Sequence, residues 1–483
     1  MIINNLITKW KNMGIELKAS FAYTFCSVLQ NGLAFLTLPL FTRLLSTSQY
    51  GQATVYSSWE NLIAIFVTLN LAYGSFDTAM IKYEEHREKY MAAVNGLCTA
   101  LCLVFVVIYL PFAKLLNKLF ELPTFIMLIM IGSILANNSL LCWYKKLRFE
   151  YRYQKVVLVT LSLTVVSVLL QLAFIMLSEE KGYARIIGIA LTNILFGGCI
   201  YLYYLRREKL FYDKQFWSYA LSFNVPLIAY YVSQIIFNTS DRIMISHFSG
   251  MDKAAIYSVA YNLAVVLNVV LNSINASYTP WLYTRIKDGN GENNKKVTIA
   301  IAMIMSVLLL GIIACAPELI EIMASEKYAQ AKWVVPPVAM SILYLFYAQL
   351  FIAIEFYFEE KKYLVYGTIL SAIINIILNV ICIPVFGFIA AAYTTLASYI
   401  VFVVMNYYMY KKIIIKRNMK DDLFNYRLLI LIAVLFMACG FGLMALYNTV
   451  IIRYVIIAIS GIIVLIKRNA MMVVYKRFKN GEI

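Results

Sequence analysis

Residues 156–177 read VVLVTLSLTVVSVLLQLAFIML, and none of these 22 side chains is charged. A bilayer core needs about 20 apolar residues per helix, so this stretch predicts a transmembrane helix. Similar stretches recur along the chain and predict fourteen spans. Their approximate limits are 19–41, 52–76, 90–112, 122–143, 156–177, 184–205, 216–239, 255–281, 297–316, 333–358, 363–385, 388–410, 428–448 and 450–466.

The composition agrees with a membrane protein. The 483 residues are 62% hydrophobic and only 14% charged, which is more apolar surface than a soluble domain can bury. We therefore predict an all-α membrane protein with about 14 transmembrane helices. The net charge of +17 would suggest nucleic acid in a soluble protein. Here the cations are better explained as loop residues near anionic headgroups, so no nucleic-acid partner is expected.

The distribution of cations predicts the topology. If the N-terminus is cytoplasmic, the inner segments carry 32 of the 42 Lys and Arg residues and the outer loops carry 10. This bias is the positive-inside signal, and it places both termini in the cytoplasm. We expect a multi-pass protein of the bacterial cytoplasmic (inner) membrane. Its predicted parts are an N-lobe of helices 1–6 (1–210), a C-lobe of helices 7–12 (211–418), and helices 13–14 with a cytoplasmic tail (419–483).

Polar side chains line one face of several predicted spans. Groups that recur every three or four residues share a helical face, and polar groups in a bilayer are costly. Two explanations remain open: hydrogen bonding between helices or a shared hydrated cavity. The substrate-cavity candidates are Tyr23, Ser27, Gln30 and Asn31 in span 1, Tyr230, Gln234 and Asn238 in span 7, Tyr261, Asn268, Asn272 and Asn275 in span 8, and Asn375 and Asn379 in span 11.

Four acidic residues are candidates for ion coupling or gating. Glu60 and Glu355 lie inside predicted spans, where an ionised carboxylate is costly unless it is hydrated, paired or protonated. Each is either a proton or sodium relay or a carboxylate hydrogen-bonded to a neighbouring helix. Asp77 and Asp241 lie at span ends and are candidates for gate ion pairs.

The chain shows no catalytic constellation. Its two histidines, His86 and His247, lie in loops on opposite predicted sides of the membrane, so they cannot share a metal ion. The motifs HExxH, GxSxG and GxxxxGK[ST] are absent from the sequence. We predict a transporter rather than an enzyme, with no cofactor, driven by an ion gradient, the membrane potential or consumption of its product.

Several segments resemble one family. They are LPLFTRLLSTSQYG (38–51), DRIMISHFSG (241–250) followed by AIYSVAY (255–261), EKYAQA (326–331) and NIILN (375–379). In this order and at these depths they resemble the polysaccharide transporters of the multidrug/oligosaccharidyl-lipid/polysaccharide (MOP) exporter superfamily. The resemblance covers most of residues 20–410.

The resemblance implies two six-helix lobes around a central cavity that opens alternately to each side. It implies a flippase for undecaprenyl-diphosphate-linked oligosaccharide, used for O-antigen, capsule or a related polymer. The partners implied are this polyprenyl-diphosphate-linked oligosaccharide, membrane lipid, a proton or sodium ion, and polysaccharide polymerase machinery. Family members often meet the diphosphate with cations, for which the nearest residues here are Arg43, Arg185, Arg242 and Arg285.

Other functions remain in competition. A multidrug/cation antiporter of the same superfamily would use acids such as Glu60, Asp77 and Glu355, and a peptidoglycan lipid-precursor flippase is a third transporter option. A membrane polysaccharide polymerase or ligase would need a large outer catalytic loop, whereas the outer loops here are short. A structural scaffold would not need aligned polar faces.

Overall fold

The computed structural model describes residues 14–287, 291–417, 419, 422–456 and 458. Every regular element in these ranges is helical. The α-helices are α1 (Ile15–Leu44), α2 (Thr47–Thr68), α3 (Ser75–Lys82), α4 (Arg87–Tyr109), α5 (Ala113–Phe120), α6 (Thr124–Phe149), α7 (Tyr153–Leu177), α8 (Lys181–Glu208), α9 (Lys214–Asn224), α10 (Ile228–Ser249), α11 (Met251–Ala264), α12 (Asn268–Lys287), α13 (Gly291–Ala314), α14 (Ala316–Met323), α15 (Val335–Tyr357), α16 (Lys361–Phe386), α17 (Ala390–Lys416) and α18 (Tyr426–Ala445).

The predicted fold class is confirmed. In the described part of the chain, twelve helical segments are long and apolar enough to cross a membrane. α2 is also 22 residues long, but its first half is rich in Ser, Thr and Gln, so it is not among the twelve. The predicted span 450–466 is helical at 450–456, and most of its remainder lies outside the described residues.

The limits of α2 differ from the predicted span 52–76. The helix begins earlier because the Ser46 side chain accepts a hydrogen bond from the Gln49 backbone N–H (3.2 Å), while the Gln49 side chain accepts from the Ser46 N–H (3.1 Å). Such a capping box fixes a helix start. The helix ends where Leu69 and Asn70 adopt positive φ angles of 49° and 52°. Glu60 therefore lies near the middle of α2.

Two predicted spans are longer than expected and interrupted. Span 7 covers 36 residues and span 8 covers 37. A 3₁₀ turn at Val225–Leu227 separates α9 from α10, where Pro226 has no backbone N–H to continue the helix. A second 3₁₀ turn at Val265–Leu267 separates α11 from α12, directly before the predicted asparagine face.

The chain forms two compact units, Met1–Ala255 and Ile256–Ile483. In the first unit, α6 packs against α8, α10 packs against α2, and α1 packs along α7. The contact between α6 and α8 is close enough to require glycine, since a Cβ on Gly197 would lie 2.0 Å from the Ala136 carbonyl oxygen. The predicted division at 210/211 and 418/419 stays a prediction.

In the second unit, α15 is the central helix and packs against α17, α13 and α18. The segment after α18 is also attached to this unit. Arg453, which is 1% exposed, forms an ion pair with Glu318 of α14, and the Tyr447 hydroxyl donates to the Ile313 carbonyl (2.7 Å). The described part of predicted helices 13–14 is therefore bound to the second unit by these two contacts.

Candidate functional site

The polar face predicted on α1 is present in the first unit. Tyr23 and Gln30 are half-buried, while Ser27 and Asn31 are exposed. The Gln30 amide lies 3.5 Å from the Thr164 hydroxyl of α7, and the Asn31 amide donates to the Ser27 carbonyl (2.8 Å). The exposed members of this face keep hydrogen-bonding capacity that no neighbouring helix of the unit uses.

The residues predicted on span 7 follow one face of α10. Tyr230 and Gln234 are half-buried and Asn238 is exposed. The Asn238 amide donates to the Gln234 carbonyl (2.8 Å). Asp241 and Arg242 follow at the end of this face, and both are buried.

Glu60 is the centre of a polar cluster between three helices. Its carboxylate accepts a hydrogen bond from the Ser133 hydroxyl of α6 (2.8 Å). The same hydroxyl accepts from the Asn193 amide of α8 (3.1 Å). The Ser133 partner of Glu60 lies on the neighbouring helix α6. The cluster offers a carboxylate, a hydroxyl and an amide at one point, which are oxygen-rich groups suited to hold a proton or a small cation.

Acids at the predicted inner end of the first unit are paired with lysines. Asp77 in α3 accepts from Lys145 of α6 (2.5 Å). Glu88 accepts from Lys146 (2.5 Å) and from Arg207 (2.7 Å). Asp77 thus makes an ion pair with Lys145, and a gating role for it stays a prediction. These pairs neutralise the carboxylates of Asp77 and Glu88.

Arg148, in the last turn of α6, stands apart from these pairs. Its guanidinium carbon lies 5.0 Å from the centroid of the Tyr23 ring, and its side chain is exposed. Within the described residues no carboxylate lies within ion-pair distance of it. Arg148 is not among the diphosphate candidates predicted from the sequence, although it contacts one of the predicted cavity residues.

The predicted diphosphate candidates lie in different surroundings. Arg185 lies over two rings, those of Phe41 (4.4 Å) and Tyr50 (4.6 Å), and donates to the Gln171 side chain (3.3 Å). Arg43 is exposed at the end of α1. The remaining two make contacts along their own helices: Arg242 donates to the Asn238 carbonyl (2.8 Å), and Arg285 lies 5.6 Å from the Trp281 ring.

In the second unit, the predicted face on span 8 is only partly open. Asn272 is exposed and Asn268 is half-buried. The side-chain amide oxygen of Asn268 has no hydrogen-bond partner among the described residues. Asn275 instead donates to Gln349 of α15, and Tyr261 is buried. Asn272 is therefore the member of this face with the freest access to water or cargo.

Asn375 and Asn379 are fully buried between α16 and α17. The Asn375 amide lies 3.4 Å from the Ser398 hydroxyl, and the Asn379 amide donates to the Asn375 side chain (3.3 Å). Asn379 also accepts from Thr394. These are interhelical hydrogen bonds of the kind left open as the alternative explanation, and a place for these two residues in a cavity stays a prediction.

Glu355 is the most isolated acid in the second unit. It is 1% exposed, and neither carboxylate oxygen has a hydrogen-bond partner among the residues that the structure describes. An ionised carboxylate left without a partner inside a membrane protein is strongly disfavoured. The place of Glu355 as a candidate for ion coupling stays a prediction.

The comparisons with known proteins place the chain in a family. Residues 17–285 match the model of a family described as "Polysaccharide biosynthesis protein", and this match covers more than half of the chain. The chain belongs to this family. An uncharacterized membrane protein of Haemophilus influenzae strain Rd is 24% identical over 265 residues, which are 53% of this chain and 62% of that protein. The chain thus spans less than two thirds of that relative's length.

Solved structures confirm the fold expected for the family. The lipid II flippase MurJ in an inward closed conformation has a TM-score of 0.64 at 15% identity, covering 90% of this chain and 100% of that one. A multidrug resistance MATE transporter of the MOP superfamily, in an inward-facing conformation, has a TM-score of 0.57 at 13% identity, covering 79% and 94%. At these identities the likeness shows a shared fold.

Proposed function

We propose that this protein is a flippase that moves an undecaprenyl-diphosphate-linked oligosaccharide from the inner to the outer leaflet of the cytoplasmic membrane by alternating access. The cargo class is the unit of O-antigen, capsule or a related surface polysaccharide. The observation that carries the proposal is the charge at the predicted inner end of the first unit. There Asp77 is neutralised by Lys145, and Glu88 by Lys146 and Arg207. Arg148 has no carboxylate within ion-pair distance among the described residues, so its charge is available to an anionic cargo.

This arrangement favours an anionic cargo over a cationic drug. A cation antiporter needs carboxylates that are free to meet its substrate, whereas Asp77 and Glu88 are held by cations. Arg148 presents a planar guanidinium, which binds phosphate oxygens through two parallel N–H donors. The exposed amides and hydroxyls of Ser27, Asn31 and Asn238 are suited to sugar hydroxyls.

The energy source is proposed to be a proton or sodium ion. Glu60, with its hydroxyl and amide neighbours, and Glu355, whose carboxylate has no partner within the described ranges, are the acids in membrane spans that suit this role. A polysaccharide polymerase that consumes the lipid-linked sugar on the outer side is the proposed functional partner. Consumption of the product would also pull the reaction forward.

Reconstitution tests the proposal directly. The purified protein is placed in proteoliposomes with a fluorescent undecaprenyl-diphosphate-linked oligosaccharide, and the outer-leaflet fluorescence is quenched at intervals. Flipping above the rate of protein-free vesicles is expected. A matched assay with lipid II and another with a cationic dye address the two competing transporters.

The outcomes separate these functions. Transport of the oligosaccharide lipid with little transport of dye supports the proposal. Faster transport of lipid II than of the oligosaccharide lipid would reassign the chain to peptidoglycan precursors. Export of the dye without lipid flipping would contradict the proposal and favour the antiporter.

A further inference from the structure

The inner part of span 7 is a separate short helix. α9 (Lys214–Asn224) is divided from α10 by the 3₁₀ turn at Val225–Leu227, where Pro226 lacks the N–H that would continue the helix. The predicted topology places α9 at the cytoplasmic end of the span. A break of this kind lets one half of a span turn while the other half stays in place, since a few residues absorb the change in backbone angles.

The two halves of span 7 rest on different helices. α10 packs against α2, whereas α9 packs against α3 and α4. All of these helices lie in the first unit, although span 7 is the first helix of the predicted C-lobe. Alternating access requires the predicted lobes to part at the inner end during part of the cycle. At that point α9 must either leave α3 and α4 or keep the inner end closed.

Hydrogen bonds to the neighbouring helices hold α9 in its docked position. The Trp217 indole N–H donates to the Ala93 carbonyl of α4 (2.8 Å). The Tyr219 hydroxyl donates to the Thr78 hydroxyl of α3 (2.9 Å). A hydrogen bond of this kind adds only modest net stability, so a set of them can form and break within a transport cycle.

Aromatic rings fill the space beneath α9. Phe216 packs edge-on against Tyr83 and Tyr90, with 4.9 and 5.4 Å between ring centroids. Tyr219 lies 5.6 Å from the Tyr83 ring, and the Lys82 ammonium lies 4.4 Å from the Tyr219 ring centroid. Ring pairs and cation–π contacts depend on geometry, so this cluster specifies one docked position for α9.

α9 ends beside the break between α2 and α3. A Cβ on Gly74 would lie 1.7 Å from the Asn224 Oδ1 atom, so a side chain at residue 74 would displace this amide. The Asn224 amide donates to the Ser75 hydroxyl (2.8 Å), and its oxygen accepts from the Ser75 N–H (3.3 Å). Both residues are fully buried. One amide thus joins the breaks in span 2 and span 7.

We propose that α9 is the cytoplasmic gate of this transporter. It turns about Val225–Leu227 and leaves α3 and α4 to admit cargo from the inner leaflet, while α10 stays on α2. It then docks again to close the inner side. The inference rests on the alternating access of the proposed function, and it adds the segment that moves and the contacts that hold it closed.

A reversible bridge across the gate tests the movement. In a background without the native cysteines, Thr78→Cys with Tyr219→Cys is joined by a short bis-methanethiosulfonate reagent, and a reducing agent later removes the bridge. The control is Thr99→Cys with Tyr201→Cys, whose native hydroxyls lie 2.8 Å apart and join α4 to α8. Intact mass measures the bridged fraction, and thermal unfolding checks that both variants are folded.

We expect flipping by the bridged gate variant to fall about tenfold or more and to return on reduction, because the bridge blocks a conformational step that each cycle needs. The bridged control should flip at its unbridged rate. Unchanged flipping by the bridged gate variant would overturn the proposal while the proposed function stands.

Thiol labelling follows the gate without any cargo. Ala220 is fully buried on the docked face of α9, so Ala220→Cys should react with an impermeant reagent on the cytoplasmic side only when α9 leaves. Leu147→Cys, buried near the inner end of α6, is the control and should stay unreactive. Adding Asn224→Ala removes the bonds to Ser75 and should speed labelling of residue 220 about fivefold.

The labelling outcomes separate the gate from the proposed function. If Ala220→Cys reacts no faster than Leu147→Cys, the gate is overturned even in a protein that flips its cargo. If Ala220→Cys reacts faster in a protein that flips no oligosaccharide lipid, the gate is supported and the proposed function is contradicted.

Discussion

The guanidinium of Arg148 lies over the ring of Tyr23, with 5.0 Å between the guanidinium carbon and the ring centroid. This contact joins the last turn of α6 to the polar face of α1. A guanidinium held over an aromatic face keeps its charge and its N–H donors, which can bind a phosphate. The contact therefore places the positive charge of Arg148 beside α1, on which several cavity residues are predicted.

Removing the Arg148 charge should weaken cargo binding. With Arg148→Gln we expect the flipping rate at low cargo concentration to fall about tenfold, as a charge-assisted contact to phosphate is lost. Tyr23→Leu should cost about twofold to fivefold, since an exposed cation–π contact is worth about 0.5–1 kcal/mol, whereas Tyr23→Phe keeps the ring and should behave like the wild-type protein. Arg206→Gln removes another exposed inner arginine and serves as the control. A normal rate for Arg148→Gln would rule out this role.

The Glu60 cluster should couple transport to an ion gradient. If Glu60 carries a proton inward, acidifying the outer side should speed outward flipping by the wild-type protein. Glu60→Gln keeps the shape but holds no exchangeable charge, so this response should vanish while the protein stays folded. Ser133→Ala keeps the carboxylate and should retain the response, with stability lowered by about 1 kcal/mol. Normal, gradient-driven transport by both Glu60→Gln and Glu355→Gln would exclude coupling through these acids.

Water access should distinguish the residues of the span 8 face. In a background without the eight native cysteines, Asn272→Cys should react quickly with a membrane-impermeant thiol reagent. Asn275→Cys should react more slowly, because residue 275 packs against Gln349. Leu271→Cys is the buried control, and Val266→Cys tests an exposed apolar position. Equal labelling of Asn272→Cys and Val266→Cys would argue against a hydrated face.

The ion pair between Arg453 and Glu318 should stabilise the second unit. Glu318→Leu leaves Arg453, which is 1% exposed, buried without its counter-ion, and such a loss typically costs about 3–5 kcal/mol. Glu318→Leu alone should therefore lower the unfolding temperature strongly in detergent. The double variant Arg453→Leu with Glu318→Leu should recover much of the loss, as both charges are removed. Two additive single effects would mean that the residues act independently.

The predicted topology has a direct assay. Reporter fusions after Lys209 and after Lys416 should indicate the cytoplasm, and a fusion near Asn117 should indicate the outside. Asn117 lies in the short helix α5, between two membrane-spanning helices. A Lys416 fusion on the outer side would contradict the topology from span 12 onward.

Hydropathy predicted most spans because it is a property of single segments. The span 156–177 corresponds to α7, Tyr153–Leu177, since no charged residue interrupts it. The predicted span 52–76 begins too late because the first residues of α2 are polar. The capping box residues Ser46 and Gln49 indicate the correct start of α2 in the sequence. The end of α2 at two residues with positive φ has no comparable sequence signal.

The arrangement of the candidate site depended on contacts between distant parts of the chain. Glu60 and Ser133 are 73 positions apart, so periodicity along one helix could not reveal the cluster. Arg148 lies in a run of cations with Lys145 and Lys146, which the sequence presents only as a topological signal. Which of these cations form ion pairs depends on how α6 packs against α3 and α4. The sequence alone therefore does not single out Arg148.

The ion pair between Arg453 and Glu318 also has a consequence for the order of events during synthesis. The two residues are 135 positions apart, so at bacterial elongation rates the carboxylate waits on the order of ten seconds for its partner. In that interval α15 to α18 leave the ribosome and must enter the bilayer before Glu318 of α14 can form its ion pair. A chain that stops before residue 453 would keep this carboxylate without its arginine, and cellular proteases could recognise such a product as incomplete.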